Sequence, residues 1–311
     1  MNNNHSSQVM KGIGLAALAS TMWGISGTVL QLISQNLAIP ATWMLSVRTL
    51  VTGIILLVFS AFRYGKEIFN VFKERESLIS VITYAIFGLM ANLLTFYYAI
   101  QKGNASAATI LQYLSPLFIV LGNVILTHHK PFRSDIISFV LALVGVIMCI
   151  TRGNITKLSI PLDALLWGIG SGITAALYVV LPKMAAKHNP PIVVLGWATM
   201  IAGILFNIIR PFWVGTPQIS TTLVASVATV VLFGTILPFS LLMHATKFAP
   251  SDVVSIMDAL QPIVTSVLSV IFFHLQMNWV EILGIVLVIV AIFILQQGRR
   301  IVREEETEFH Y

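Results

Sequence analysis

Long apolar runs separated by short polar stretches set the rhythm of the chain. They lie near residues 12–34, 41–63, 77–100, 104–127 and 133–151, and again near 162–184, 191–213, 222–247, 251–274 and 279–297. Each is close to the roughly 20 apolar residues that a helix needs to cross about 30 Å of hydrocarbon. Strands of a membrane barrel would alternate apolar and polar positions, and these runs do not. The pattern predicts an all-α integral membrane protein with ten transmembrane helices. "ALA" at 17–19 mimics a signal-peptide cleavage site, but the apolar run continues well past it, so an uncleaved first helix is expected.

Composition removes the alternatives. The chain is 57% hydrophobic and 10% charged, with a mean hydropathy of +0.90. Soluble domains sit near 45–50% apolar and about 25% charged, which excludes a soluble protein. The net charge of +6 comes from basic residues scattered between the runs, not from a basic domain, so nucleic acid is not an expected partner. Those residues set the topology instead. With the N-terminus inside, 13 of the 18 Lys and Arg residues face the cytoplasm. Lys102, Arg152, Lys157 and Arg210 face out, and Arg48 lies within a span. Both termini are therefore expected on the cytoplasmic side of the cell membrane. The tail "REEETEFHY" reads as a solvated end, and the single Cys149 excludes an intramolecular disulfide.

The chain also repeats itself. A shift of 146 residues lays 78–128 on 224–274 with 12 identities, among them Phe87-Gly88 on Phe233-Gly234, Pro116 on Pro262 and His128 on His274. A weaker match at a shift of 151 sets Pro40 on Pro191. The expected units are 1–153 and 154–311, five helices each. Five is odd, so the second unit enters the membrane inverted relative to the first. Inverted repeats are characteristic of secondary transporters, with a site near the midplane between the halves.

On these residues the chain resembles the EamA-like family of the drug/metabolite transporter superfamily. The likeness rests on "MWG" (22–24), Arg48 in the second span, and "LSP" (114–116) and "LQP" (260–262) in the fourth and ninth. The small-residue stretches "GNASAA" (103–108) and "APSDVVS" (249–255) precede the last two. One departure is that His128–His129 and His274–Leu275 stand where the family often carries an acid after the fourth and ninth helices. The resemblance implies a central cavity lined by helices one to four and six to nine, with helices five and ten peripheral and serving association. It also implies transport of amino acids, related metabolites or aromatic cationic drugs without nucleotide hydrolysis.

Two ionisable residues lie deep in spans, where a charge costs about 2.5–3.5 kcal/mol and marks a site hypothesis. Arg48 sits about eight residues from the outer end of the second helix, roughly 12 Å deep at 1.5 Å per residue. Asp258 lies at a similar depth from the other face in the ninth. Arg48 could hold a substrate carboxylate while Asp258 takes an ammonium group or a coupling proton; the alternative is a structural ion pair that fixes helix packing. Asp258 has no charged counterpart in the first repeat, where Gln112 takes its place.

Pro116 and Pro262 are expected to break the fourth and ninth helices. Gln112, Tyr113, Ser115 and Gln261 would cluster at those breaks. Asn92, Tyr97, Tyr98 and His244 add polar groups, and Trp23, Tyr178 and Trp197 could stack on a ring or cage a cation. Asp135, Asp252 and Glu281 read as helix-start caps. The adjacent His128 and His129 lack a third ligand at metal spacing, so neither metal nor cofactor is expected.

Together these features point to secondary transport of a small organic metabolite, an amino acid or relative, by export, with protons as the candidate coupling ion and a monomer or homodimer as the assembly. Efflux of aromatic cationic drugs is the alternative. A membrane-embedded enzyme would need a nucleophile–base pair, and an ATP-driven pump a "GxxxxGK[ST]" loop; the sequence has neither.

Overall fold

A computed structural model describes residues 2–127, 131–154 and 156–308. The His128–His129 pair and Lys130 lie outside them, and the side chains of Asp252, Arg299, Arg300 and Arg303 are likewise not described. The described residues form helices joined by short connections, with no strand among them. Among the described residues, nine helices are long and apolar enough to cross a membrane. They are α1 (Gln8–Asn36), α2 (Ala41–Phe72), α3 (Arg75–Lys102), α4 (Ala105–Leu126), α5 (Arg133–Thr151), α6 (Leu162–His188), α7 (Pro191–Ile209), α8 (Thr221–Ala245) and α10 (Trp279–Gly298). The shorter apolar α9 (Met257–Phe273) comes after a separate short helix, Ser251–Ile256.

Local chemistry sets the helix starts. Asn104 accepts a hydrogen bond from Ala107 N at 2.8 Å and caps α4, as Ser220 caps α8 through Leu223 N. Asp135 accepts from Phe132 N at 3.1 Å to close the start of α5. Pro191 opens α7 at a position whose N–H would have no helical partner in any case.

The packing repeats with the two halves exchanged. α1 lies on α8 and α9, and α6 lies on α3 and α4. α2 pairs with α7, α5 with α10, and the first half of α4 with α9. Lipid tails are as apolar as leucine, so such contacts need close backbone approach more than hydrophobic burial. Glycines provide it. A Cβ on Gly53 would sit 2.8 Å from Met200 Cα, and one on Gly203 2.8 Å from Leu50 Cα. Gly145 and Gly284 face each other across α5 and α10, each Cβ position 2.7 or 2.6 Å from the other's carbonyl oxygen.

Four of the helix interruptions among the described residues border the interior of the bundle. α3 and α8 each contain a π turn, at Tyr84–Met90 and Leu232–Ile236. α4 is divided into Ala105–Gln112 and Ser115–Thr127, just before Pro116. α9 opens with the 3₁₀ turn Met257–Ala259 just before Pro262. Proline cannot donate to the carbonyl four residues back. For Pro262 that carbonyl belongs to Asp258, and the buried Ser20 hydroxyl of α1 donates to it instead at 3.0 Å.

Candidate substrate cavity

A cavity of about 220 Å³ lies between the two halves, near the middle of the spans. Its walls come from α1 to α4 and α6 to α9. Arg48 on α2 is 8% exposed and reaches across to the π turn of α8, where Nη2 donates to the Gly234 carbonyl and Thr235 Oγ1, both at 3.4 Å. Pro238 helps make this possible, because it has no N–H to offer the Gly234 carbonyl four residues back. Gly234 makes it possible as well, since a Cβ there would stand 2.9 Å from Arg48 Nη2.

Among the described residues no acid pairs with that guanidinium. The ion pairs among the described residues are Lys102–Asp163 at 3.8 Å and Arg152–Glu281 at 2.9 Å, both away from the cavity. Arg48 and Asp258 do not pair. Among the lining residues Arg48 is the one formal charge.

The rest of the wall is aromatic on one side and amide on the other. Trp23 meets Phe239 edge-on at 5.9 Å, and Phe239 meets Tyr178 at 6.4 Å. Gln112 Nε2 donates to Asn92 Oδ1 at 2.9 Å and to Ser171 Oγ at 3.0 Å, joining α4 to α3 and α6. Gln261 of α9 completes the lining on the side of the second repeat.

Trp23, Arg48, Asn92, Gln112, Tyr178 and Gln261 thus come together from six helices, with Tyr113 and Ser115 beside them. Tyr98, His244 and Asp258 do not line the cavity. The Tyr98 ring packs 4.9 Å from Trp167 on the face of α3 against α6. His244 is exposed near the end of α8, its Nδ1 3.3 Å from the Ser240 carbonyl one turn back. Asp258 sits one turn before Gln261. Its Oδ1 is buried without a hydrogen-bond partner among the described residues. Pro116 and Pro262 lie behind the wall and shape it through the helix breaks. Trp197 serves structure, donating to the Ile68 carbonyl at 2.7 Å between Phe69 and Phe72. Tyr97 likewise donates to the Ile39 carbonyl at 2.6 Å.

Sequence reasoning missed Ser26, Thr49, Thr52, Thr199, Thr235 and Phe239 in the lining. One signal could have found Thr199: a shift of 150 residues lays Thr49 on it and Gly53 on Gly203.

Comparison with known proteins agrees with this architecture. The chain is 30% identical to the inner membrane transporter YicL of Salmonella typhimurium, over 93% of this chain and 96% of that one. It is 24% identical to the threonine/homoserine exporter RhtA of Escherichia coli K12, over 63% of this chain and 64% of that one. A solved structure, "Crystal structure of protein", superposes with a TM-score of 0.60 over 95% of this chain and 99% of the other at 14% identity, a likeness of fold. The model of the EamA-like transporter family matches twice, at residues 10–151 and 162–296. With one match on each run of five helices, the cavity between them is that of a membrane transporter, and the chain belongs to the EamA-like transporter family.

Proposed function

We propose that the chain exports a small carboxylate-bearing metabolite, an amino acid or close relative, and that Arg48 holds the carboxylate. The observation that carries this reading is the unpaired guanidinium in a cavity whose described lining contains no acid. A buried cation without a counter-ion is costly, and a bidentate carboxylate is the ligand that matches the planar fork of arginine. Size supports the same reading. At about 220 Å³ the cavity falls below the roughly 300–1,000 Å³ typical of drug-sized ligands. An aromatic cation would meet Arg48 in the wall and find no carboxylate there.

Asp258 takes the second role, as the coupling carboxylate. It lies next to the cavity floor at Gln261, with an oxygen that no protein group satisfies among the described residues. Proton loading there would neutralise a buried charge as substrate moves. The distribution of Lys and Arg favours both termini in the cytoplasm. Similarity to a threonine/homoserine exporter supports an amino acid as cargo and export as direction.

Purified protein in liposomes tests the central claim. Arg48→Gln is expected to lower kcat/KM for amino acid uptake on the order of 100-fold, the scale of a lost charge-assisted bidentate pair. Thr199→Val, which removes an uncharged hydroxyl from the same lining, is expected to change it by less than about threefold. Wild-type kinetics in Arg48→Gln would refute the carboxylate clamp.

A further inference from the structure

The amide wall of the cavity carries hydrogen-bonding groups that the protein itself leaves unused. Gln112 has one NH₂ group, and both of its protons are taken, one by Asn92 Oδ1 and one by Ser171 Oγ. Ser171 is fully buried behind the wall, so it fixes the Gln112 side chain without entering the cavity. Among the described residues, Gln112 Oε1 and Asn92 Nδ2 then remain without a side-chain or backbone partner. One is an acceptor and the other a donor. Turning both amides round exchanges the roles, with Ser171 now donating, and again leaves one carbonyl oxygen and one NH₂ group. The result does not depend on which way round the amides are placed.

We infer that Asn92 and Gln112 read a second polar group of the substrate, a hydroxyl or a carboxamide, while Arg48 holds its carboxylate. The inference rests on the reading of a carboxylate-bearing cargo given above and names which such cargo the site prefers. A hydroxyl both donates and accepts, and so does a carboxamide; either satisfies the free acceptor and the free donor together. An ammonium would leave the donor unmet, and a second carboxylate would leave the acceptor unmet. A methyl group would leave both unmet, and a site built to hydrogen-bond discriminates strongly against the analogue that lacks the partner. The geometry suits two-point recognition: the guanidinium enters from α2 against α8, the amides from α3 and α4.

The amides also hold α3 to α4, and a purely structural lock would slow every substrate alike. Discrimination between matched substrates separates the two roles. Uptake of labelled amino acids into liposomes would be measured for three pairs of similar shape: threonine with valine, asparagine with leucine, and glutamine with methionine. Wild-type protein is expected to favour the polar member of at least one pair by about tenfold or more in kcat/KM. Gln112→Met is expected to bring that ratio within about twofold. Asn92→Leu, which reaches the same two groups from α3, is expected to do the same and serves if Gln112→Met fails to fold. Equal uptake of both members by the wild type, or an unchanged ratio in both variants, overturns the inference and leaves the carboxylate clamp standing. Failure of the wild type to move any of the six amino acids, in either direction, overturns the clamp reading and this inference with it.

Discussion

The two repeats share a backbone and differ in chemistry. At a shift of 146 residues the π turn of α8, Leu232–Ile236, falls on the last five residues of the π turn of α3, Tyr84–Met90. The 3₁₀ turn that opens α9 falls within two residues of the break in α4. Yet Arg48 stands opposite Ala198, since α2 and α7 pair with Thr49 on Thr199 and Gly53 on Gly203, and Asp258 stands opposite Gln112. A scaffold repeated upside down can adopt in one half the shape that the other half has just left, which is what alternating access requires. A site built from two identical halves would bind a symmetric ligand. Breaking the symmetry at two polar positions would give a substrate one orientation.

The two ends of the bundle differ as well. At the end away from the chain termini, α4 and α9 are joined by a buried hydrogen bond of 2.7 Å between Ser106 and Ser266. Gln35 adds bonds to the carbonyls of Ile100 and Gly103, at 2.9 and 2.8 Å, and Gln31 accepts from Ala105 N at 2.8 Å. At the terminal end the second half of α4 packs on α6 and α5, while the helix Ser251–Ile256 packs on α1 and α10. The first end latches α4 to α9 directly, whereas the terminal end joins the halves through α3 and α6, where Ser80 donates to the Leu181 carbonyl at 2.7 Å, and through α1 and α8, where Ala16 packs on Ala245. The largest expected effect comes from fixing that latch. In Ser106→Cys/Ser266→Cys, oxidation is expected to abolish transport in liposomes and reduction to restore it, with the buried Cys149 left unreacted. Full transport by the cross-linked protein would mean that this end does not open, and the contrast between the ends would lose its functional meaning.

Much of this contrast was legible in the sequence, for definite physical reasons. Membrane spans announce themselves because unsatisfied backbone in lipid forces long apolar helices. The breaks announced themselves through Pro116 and Pro262, because proline removes a fixed backbone bond. Arg48 stood out because a charge in a span is costly. The π turns carry no such residue signature, so Gly234 and Thr235 went unseen until the Gly234 carbonyl and the Thr235 hydroxyl could be seen facing Arg48. Tyr98 and His244 were expected in the site on polarity, but polarity does not say which way a helix face turns. His244 lies on an exposed face and Tyr98 on a helix interface. The Ser and Thr residues of the lining look the same in sequence as those that bond back to their own helix, as Thr49 does to the Leu45 carbonyl at 2.6 Å.

Asp258 and Gln112 offer the next sharpening. If the acid couples transport and the amide reads substrate, the same change in charge should act differently at the two equivalent places. Asp258→Asn is expected to cut pH-gradient-driven accumulation about tenfold while exchange of substrate across the membrane persists, because the carboxylate that carries the proton is gone and the cavity wall is intact. Accumulation at the wild-type level would show that Asp258 serves only the break at Pro262, where its backbone carbonyl is already held by Ser20.

The smallest effects should come from the two glycines of the π turns, and they should differ in kind. A Cβ on Gly234 would meet Ser26 Oγ at 2.6 Å and Arg48 Nη2 at 2.9 Å, the second being the far end of a flexible side chain. The guanidinium can give way, but only by leaving the Gly234 carbonyl and Thr235. Gly234→Ala is therefore expected to raise KM several-fold, with little loss of folded protein. A Cβ on Gly88 would instead meet Tyr84 Cδ2 at 2.8 Å and the Tyr178 backbone Cα at 3.2 Å. Backbone cannot swing aside, so Gly88→Ala is expected to act on packing, costing about 1–3 kcal/mol of stability and lowering the thermal midpoint, with KM near wild type in the protein that folds. Equivalent glycines with the same kinetic signature would argue that both π turns merely ease helix packing. Different signatures would show that one repeat uses its π turn to hold the recognition arginine and the other to hold the fold.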